Sequence, residues 1–241
     1  MNKFPSFRKR TAEKELMDDM SLSGAELESV MRDLKTVNKL LGGHAVTLKG
    51  LLPFLKEKSE THYHILDIGC GDGEFLRYLG GYCRRNDIPV KLTGWDLNAG
   101  SLSSAERLSA SMEELHFEQK DILRQDSLPE KDTIIVCNLF LHHFTDQQIV
   151  RLLGVWKNSD CKAIVINDLH RNPYAYYLFK LFGLIFMKSR IARHDGLVSI
   201  RRGFLKRELQ DYCRRITGLD CQIRWKWAFR YLCVLSVKNC K

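Results

Sequence analysis

The twelve residues His64–Phe75, HILDIGCGDGEF, constrain this chain more than any other stretch. Apolar residues lead into Asp67, and glycines then occupy positions 69, 71 and 73. Glycine accepts a positive φ without a Cβ penalty and lets backbone approach a ligand closely. A strand that collapses into such a turn and resumes as a helix is the opening unit of a doubly wound sheet. In those sheets ligands sit at the carboxyl ends of the strands, near the switch in strand order. The spacing is G-x-G-x-G, and no G-x-x-x-x-G-K-[ST] occurs, so a P-loop is excluded.

The rest of the chain extends this pattern. Segments 63–68, 90–97, 114–119, 132–138 and 161–168 read as strands, with helical patterns between them. This alternation predicts a parallel sheet with helices on both faces. After a helix at 206–216, CQIRWKWAF and YLCVLSVK follow with almost nothing between them, which predicts an antiparallel hairpin at one edge. The expected fold is therefore α/β and Rossmann-like, with seven strands, mostly parallel. Upstream, 13–42 reads as two helices, the second capped by Ser23 and carrying the stripe Leu27, Val30, Met31, Leu34, Val37 and Leu41. A short helix around 44–58 leads into the first strand. These segments suggest a helical cap over 1–58 and a second domain over 59–241, with an insertion at about 173–203.

Acidic and amide residues stand at the strand ends. Asp96 closes the second strand, where a carboxylate can accept both ribose hydroxyls of a nucleoside. Asp121 and Ile122 follow the third strand, and Asn138 and Leu139 the fourth. Over about 60–238 these residues resemble the class I S-adenosylmethionine (SAM)-dependent methyltransferases. LDIGCGDG looks like that family's first motif, GWDLN its second, KDIL its third and DTIIVCNLFLHHF its fourth. The resemblance implies SAM as cofactor and a cytoplasmic enzyme that needs no metal. It implies that Asp67 meets the cofactor's amino-acid end, while Gly69, Cys70 and Gly71 line it. Asp96 and Leu97 would hold the ribose, Asp121 and Ile122 would frame the adenine, and Asn138 and Leu139 would close the floor.

Substrate chemistry should appear beyond the fourth strand. His142 and His143 of LHHF are candidate general bases or structural residues. Asp168 ends the fifth strand beside His170 and Arg171, as a cap or as the partner of a histidine. The run PYAYYLFKLFGLIFMK is too short to span a membrane and contains Lys180. It reads as a lid over an apolar or aromatic substrate, or as core packing against the N-terminal helices. His194, beside Asp195, is a further candidate base or a surface histidine. The MDD…VNKLLGG and DLHR…RHDG…SIRR segments resemble bacterial small-molecule methyltransferases found beside type III polyketide synthases, which implies phenolic acceptors. LHHF is also similar to quinone-biosynthesis methyltransferases.

Charge sets the competing readings. Residues 171–241 hold sixteen Lys/Arg against four Asp/Glu. Such a segment can face nucleic acid, an anionic membrane surface or an acidic partner, or be a solvated face. Methyl transfer to a hydroxyl of a lipophilic small molecule is the first expectation, with peripheral contact at an anionic membrane and no stable protein partner. A nucleic-acid methyltransferase is the alternative, disfavoured because position 138 opens NLFL and not [DN]PP[YF]. The eight cysteines lack CxxC or zinc-type spacing and read as reduced thiols. No apolar leader marks the start of the sequence.

Overall fold

The computed structural model describes residues 5–18, 24–55, 62–128, 131–216 and 218–237. Its centre is β1 (Tyr63–Ile68), buried along its whole length, as a parallel strand covered on both faces must be. Around it lie β2 (Val90–Asp96), β3 (Leu115–Gln119), β4 (Ile134–Asn138), β5 (Ala163–Leu169), β6 (Leu219–Lys226) and β7 (Arg230–Val237). The seven-stranded order is β3-β2-β1-β4-β5-β7-β6. The first five strands pair in parallel, and β7 runs antiparallel to both β5 and β6. This is the Rossmann-like sheet that the strand pattern predicts, with the C-terminal hairpin at one edge. The switch in strand order falls between β1 and β4, where the glycine turn emerges.

Helices cover both faces. They are α1 (Gly24–Leu40), α2 (Gly43–Leu55), α3 (Glu74–Arg85), α4 (Ala99–Leu108), α5 (Asp146–Asn158), α6 (Pro173–Phe186), α7 (Arg190–Arg202) and α8 (Lys206–Arg215). Alternating residues of one strand feed two cores. Leu66 and Ile68 join Trp156 and Phe204 on one side, while Ile65 joins Leu51 and Leu79 on the other. Helix α2 lies so close to the sheet that a Cβ at Gly50 would sit 2.7 Å from Val165 Cγ1. Thr145 and Gln148 close a capping box on α5, and the Asn172 and Ser189 side chains cap α6 and α7.

Three expectations change. First, 13–18 is not the start of a helix. The chain from 5 to 15 is a strap, with only a 3-10 turn at Leu16–Asp18. It is held down by polar contacts: Arg10 reaches three backbone carbonyls, and Asp195 accepts the Leu16 and Met17 N–H groups, both at 2.8 Å. Ser23 and residues 56–58 lie outside the described residues. Second, the insertion holds two helices, because Asp33 on α1 accepts the N–H groups of Lys188 and Ser189 and fixes the turn between them. Third, the cysteines are not all thiols. Cys213 and Cys221 form a disulfide where α8 packs on β6, and Cys233 Sγ lies 3.5 Å from Cys221.

Arg171 serves the fold. It is 1% exposed and donates to the carbonyls of Phe7 and Gly203 and to the Glu208 carboxylate. It ties the strap, the end of α7 and the start of α8 together.

Candidate active site

One cavity of about 880 Å³ opens at the carboxyl edge of the sheet. Asp67, Gly69, Cys70, Gly71, Asp96, Leu97, Asp121, Ile122, Asn138 and Leu139 all line it. The turn after β1 is left-handed at each glycine, with φ of 75° at Gly69, 55° at Gly71 and 74° at Gly73. At Gly69 the restriction is also steric, since a Cβ would lie 2.3 Å from the Phe140 ring. At Gly71 nothing lies within 4 Å of a Cβ position, so bare backbone faces open space.

Asp67 is 2% exposed, and its Oδ1 has no hydrogen-bond partner among the described residues. Burial, aided by the nearby Asp96, pushes its carboxyl up to about 8. An orphaned buried acid of this kind fits a cationic group such as a ligand's ammonium. Asp96 pins the turn: Oδ2 accepts the Gly71 N–H and Oδ1 the Asn98 N–H, both at 2.8 Å. A carboxylate has about four acceptor sites, so capacity for two ligand hydroxyls remains.

The other strand-end residues are more committed. Asp121 accepts the Leu123 N–H and pairs with Arg124 at 3.2 Å. Asn138 Oδ1 accepts from the Thr47 hydroxyl at 3.0 Å and the Asn167 amide at 2.9 Å, which ties α2 to β4 and β5. Leu139 takes the left-handed conformation at φ 53°, with its N–H on the Asn167 carbonyl. The Cys70 thiol is buried, and a Cβ at Gly94 would lie 2.7 Å from it. Burial pushes that thiol well up, so Cys70 offers backbone and packing.

The other end of the cavity holds a charged cluster. His142 Nδ1 donates to Asp168 Oδ1 at 2.7 Å, and its Nε2 stands 3.3 Å from Glu15 Oε1. Asp168 also accepts the backbone N–H groups of His142 and Leu169. Burial alone would lower the His142 pKa, but Asp168 and Glu15 outweigh it and push it up to about 9. Burial likewise opposes ionisation of both acids and is overcome, chiefly by His142, so both are held below the usual carboxylate range. His142 is thus a buried imidazolium between two carboxylates. Glu15, His142 and His143 each bring a ligand-type atom within 4.8 Å of the others.

His143 is the more open neighbour, with its Nε2 3.8 Å from Glu15 Oε2 and a place on the cavity wall. Glu15 also accepts from the Ser199 hydroxyl at 2.7 Å, and Arg10 and Arg202 grip the carbonyls around the two histidines. His194 lies elsewhere. It contacts Glu13 and Asp195 at the surface and does not line the cavity. Asp168 supports His142 from beneath the wall. Sequence reasoning passed over Glu15, because a lone acid in a helical-looking charged run carries no signal of its destination.

A family model described as a methyltransferase domain matches residues 65–158. No curated protein matches the chain. Among solved structures, the chain is similar to the plantazolicin methyltransferase BpumL in complex with SAH. Identity is 17% over 90% of this chain and 92% of that chain, with a TM-score of 0.66. The plantazolicin methyltransferase BamL, in complex with a triazolic desmethylPZN analog and SAH, has 17% identity over 87% and 90%, with a TM-score of 0.63. The citrinin polyketide synthase CMeT domain has 12% identity over 80% of this chain and 52% of that chain, with a TM-score of 0.57. At these identities the likeness is one of fold.

The His142 cluster makes stability depend on pH. Its folded pKa of about 9 exceeds the ordinary 6.5, so its contribution is complete below pH 6.5 and is lost as pH rises through 9. The loss should amount to about 3 kcal/mol. Urea unfolding at pH 6 and pH 9.5 measures it. Asp168→Asn should flatten the difference and return the imidazole toward its ordinary range in an NMR titration.

Proposed function

From a class I SAM-dependent methyltransferase fold with a methyltransferase domain match over residues 65–158, we propose that this chain methylates a hydroxyl group on an apolar or aromatic small molecule, using SAM. The observation that carries the reading is a single cavity with an orphaned acid and bare glycine backbone at one end and the Glu15–His143 pair at the other. SAM, when bound, supplies an electrophilic methyl on a sulfonium. Asp67 would receive its amino group, Asp96 its ribose hydroxyls, and the turn at Gly69–Gly71 would lie along it.

The chain's own part is to position the acceptor and take its proton. A phenol with a pKa of about 10 is mostly neutral near pH 7. The His143 imidazole takes the hydroxyl proton, and the carboxylate of Glu15, 3.8 Å from its Nε2, stabilises the resulting imidazolium. His142 and Asp168 hold Glu15 in place and do not themselves exchange protons. Met31, Leu34, Phe179 and Phe182 make the adjoining wall apolar, which favours an acceptor with an apolar or aromatic body.

Several observations bear on partners. Arg171, Arg202 and Arg230, which add to the basic C-terminal third, are engaged or buried inside the fold, leaving less charge for a nucleic-acid surface. Helix α6 differs: Tyr174, Leu181, Leu184, Ile185 and Phe186 are all more than half exposed. Lys180, Lys188 and Arg190 are exposed beside them, and no acid occurs from 173 to 194. Leu178 and Trp227 belong both to the exposed apolar surface and to the cavity lining. We propose that this face rests on an anionic bilayer and receives the acceptor from it. No helix among the described residues is long and apolar enough to cross a membrane. Nothing in the comparisons supports a place beside type III polyketide synthases, and the proposal does without it.

Calorimetry tests the cofactor half. At pH 7, SAM binding should release up to about one proton as Asp67 ionises against the ligand's cation. The observed enthalpy should then change with the ionisation heat of the buffer, and Asp67→Asn should abolish that change. Absence of SAM binding would remove the reading altogether.

Methyl transfer from labelled SAM to simple alkylphenols tests the chemistry. Glu15→Gln and His143→Ala should each lower kcat by roughly 10²–10³ with SAH affinity unchanged. Equal turnover in both variants would mean that positioning alone drives transfer. Label in an RNA fraction alone would favour the nucleic-acid alternative.

Sedimentation with phosphatidylglycerol vesicles addresses the bilayer. Leu181→Glu with Leu184→Glu should release the protein, and phosphatidylcholine vesicles should hold it weakly. Equal retention of the double variant would rule the bilayer contact out, and concentration-dependent dimers lost in that variant would assign the face to a second copy.

A further inference from the structure

Arg230 opens β7 and is among the largest fully buried side chains, at 1% exposure. Its Nε and Nη1 have no hydrogen-bond partner among the described residues. An unpaired guanidinium removed from water is strongly unfavourable unless something else completes it. Burial draws its pKa down to about 10, partly opposed by Asp168, so the group remains charged near neutrality. Asp168 itself is already committed to the His142 ring and two backbone N–H groups.

Arg230 belongs to the cavity wall. It lies against Gly43, where a Cβ would meet Nη2 at 3.2 Å and Cζ at 3.4 Å. Gly43 begins α2, a 13-residue helix with no acid in its first turn, so the positive end of a helix faces the same place. His44, next along, is lowered to about 4, chiefly by burial and then by Arg230, and so adds no charge. The Asn38 Oδ1 is also buried without a partner, 2.9 Å from the same Cβ position. Two orphaned polar groups, one of them cationic, thus meet where a helix begins on the wall of a cavity.

We propose that Arg230, with the N-terminus of α2, forms a subsite for a carboxylate group of a bound ligand. Arginine matches a carboxylate in charge and planarity. The carboxylate has two sources. On the reading above, the cofactor's amino-acid end carries one beside the amino group assigned to Asp67, and Arg230 then completes recognition of a zwitterion. The other source is an acidic acceptor.

Calorimetry on the full chain separates them. Wild type and Arg230→Met are titrated with SAH and with 5′-methylthioadenosine, which keeps the nucleoside and sulfur but lacks the carboxylate. The same proteins are titrated with 4-hydroxybenzoate and with phenol. If the cofactor supplies the group, SAH weakens by about 30-fold in the variant, as loss of one charge-assisted bond implies, while 5′-methylthioadenosine is unchanged. If the acceptor supplies it, the loss falls on 4-hydroxybenzoate and spares phenol. In either case Arg230→Lys recovers part of the affinity. Equal losses for ligands with and without a carboxylate, or no loss for either acid, overturn the subsite. Should wild type bind neither adenosine compound, the cofactor reading fails separately and the benzoate–phenol pair decides. Ligand-free Arg230→Met should melt no lower than wild type, because it removes an uncompensated charge. A lower midpoint would mean that the charge is compensated within the fold, and would also overturn the proposal.

Discussion

The buried chain of charge from Asp168 through His142 to Glu15 organises one end of the cavity. Three separate segments meet in it: the end of β5, the turn after β4 and the N-terminal strap. A buried ion pair is stable only when its remaining donors and acceptors are satisfied. Here backbone N–H groups and the Ser199 hydroxyl complete the two acids. The cluster places Glu15 beside His143, and the two arginines that grip the surrounding carbonyls keep that spacing rigid. Remove one carboxylate and an imidazolium is stranded in a dry site, so each member depends on the others.

The other end of the cavity rests on a different constraint, backbone conformation. Left-handed glycines and the left-handed Leu139 bring bare peptide groups to the edge of β1 and β4. The amides and hydroxyl of Asn138, Asn167 and Thr47 then fasten α2 across that edge. The two ends of the cavity are held by unlike means: conformational restriction at one, charge at the other. Point substitutions should separate them cleanly for that reason.

The sheet was legible because each strand is a local pattern. YHILDI is apolar without interruption, and GCGDG permits only a turn. The start of α5 is likewise a local pattern, since Thr145 and Gln148 form a capping box within four positions. What the sequence hid was non-local. Glu15 sits in a run that looks helical, and the contacts that make it a strap lie 132 and 192 residues away from Arg10. The turn that splits the insertion depends on Asp33, 155 residues from Lys188. His194 stands beside the apolar insertion and so read as a candidate base or a surface histidine; it pairs with Asp195 at the surface, and that carboxylate also holds the strap. The cysteine pair is closer in sequence, eight residues apart, but that spacing matches no CxxC or zinc pattern and depends on α8 packing against β6.

The strap has a consequence for how the protein is made. It is the first described segment to leave the ribosome, yet its anchors at Arg201, Arg202 and Asp195 belong to α7, near the other end. Contacts of such long sequence separation form late, after the loop between them has closed. Strands β1 to β5 and the glycine turn all precede α7, so they can assemble on a nascent chain that still lacks Glu15 at its post. The Glu15 end of the cavity would then be the part left open until synthesis has passed α7.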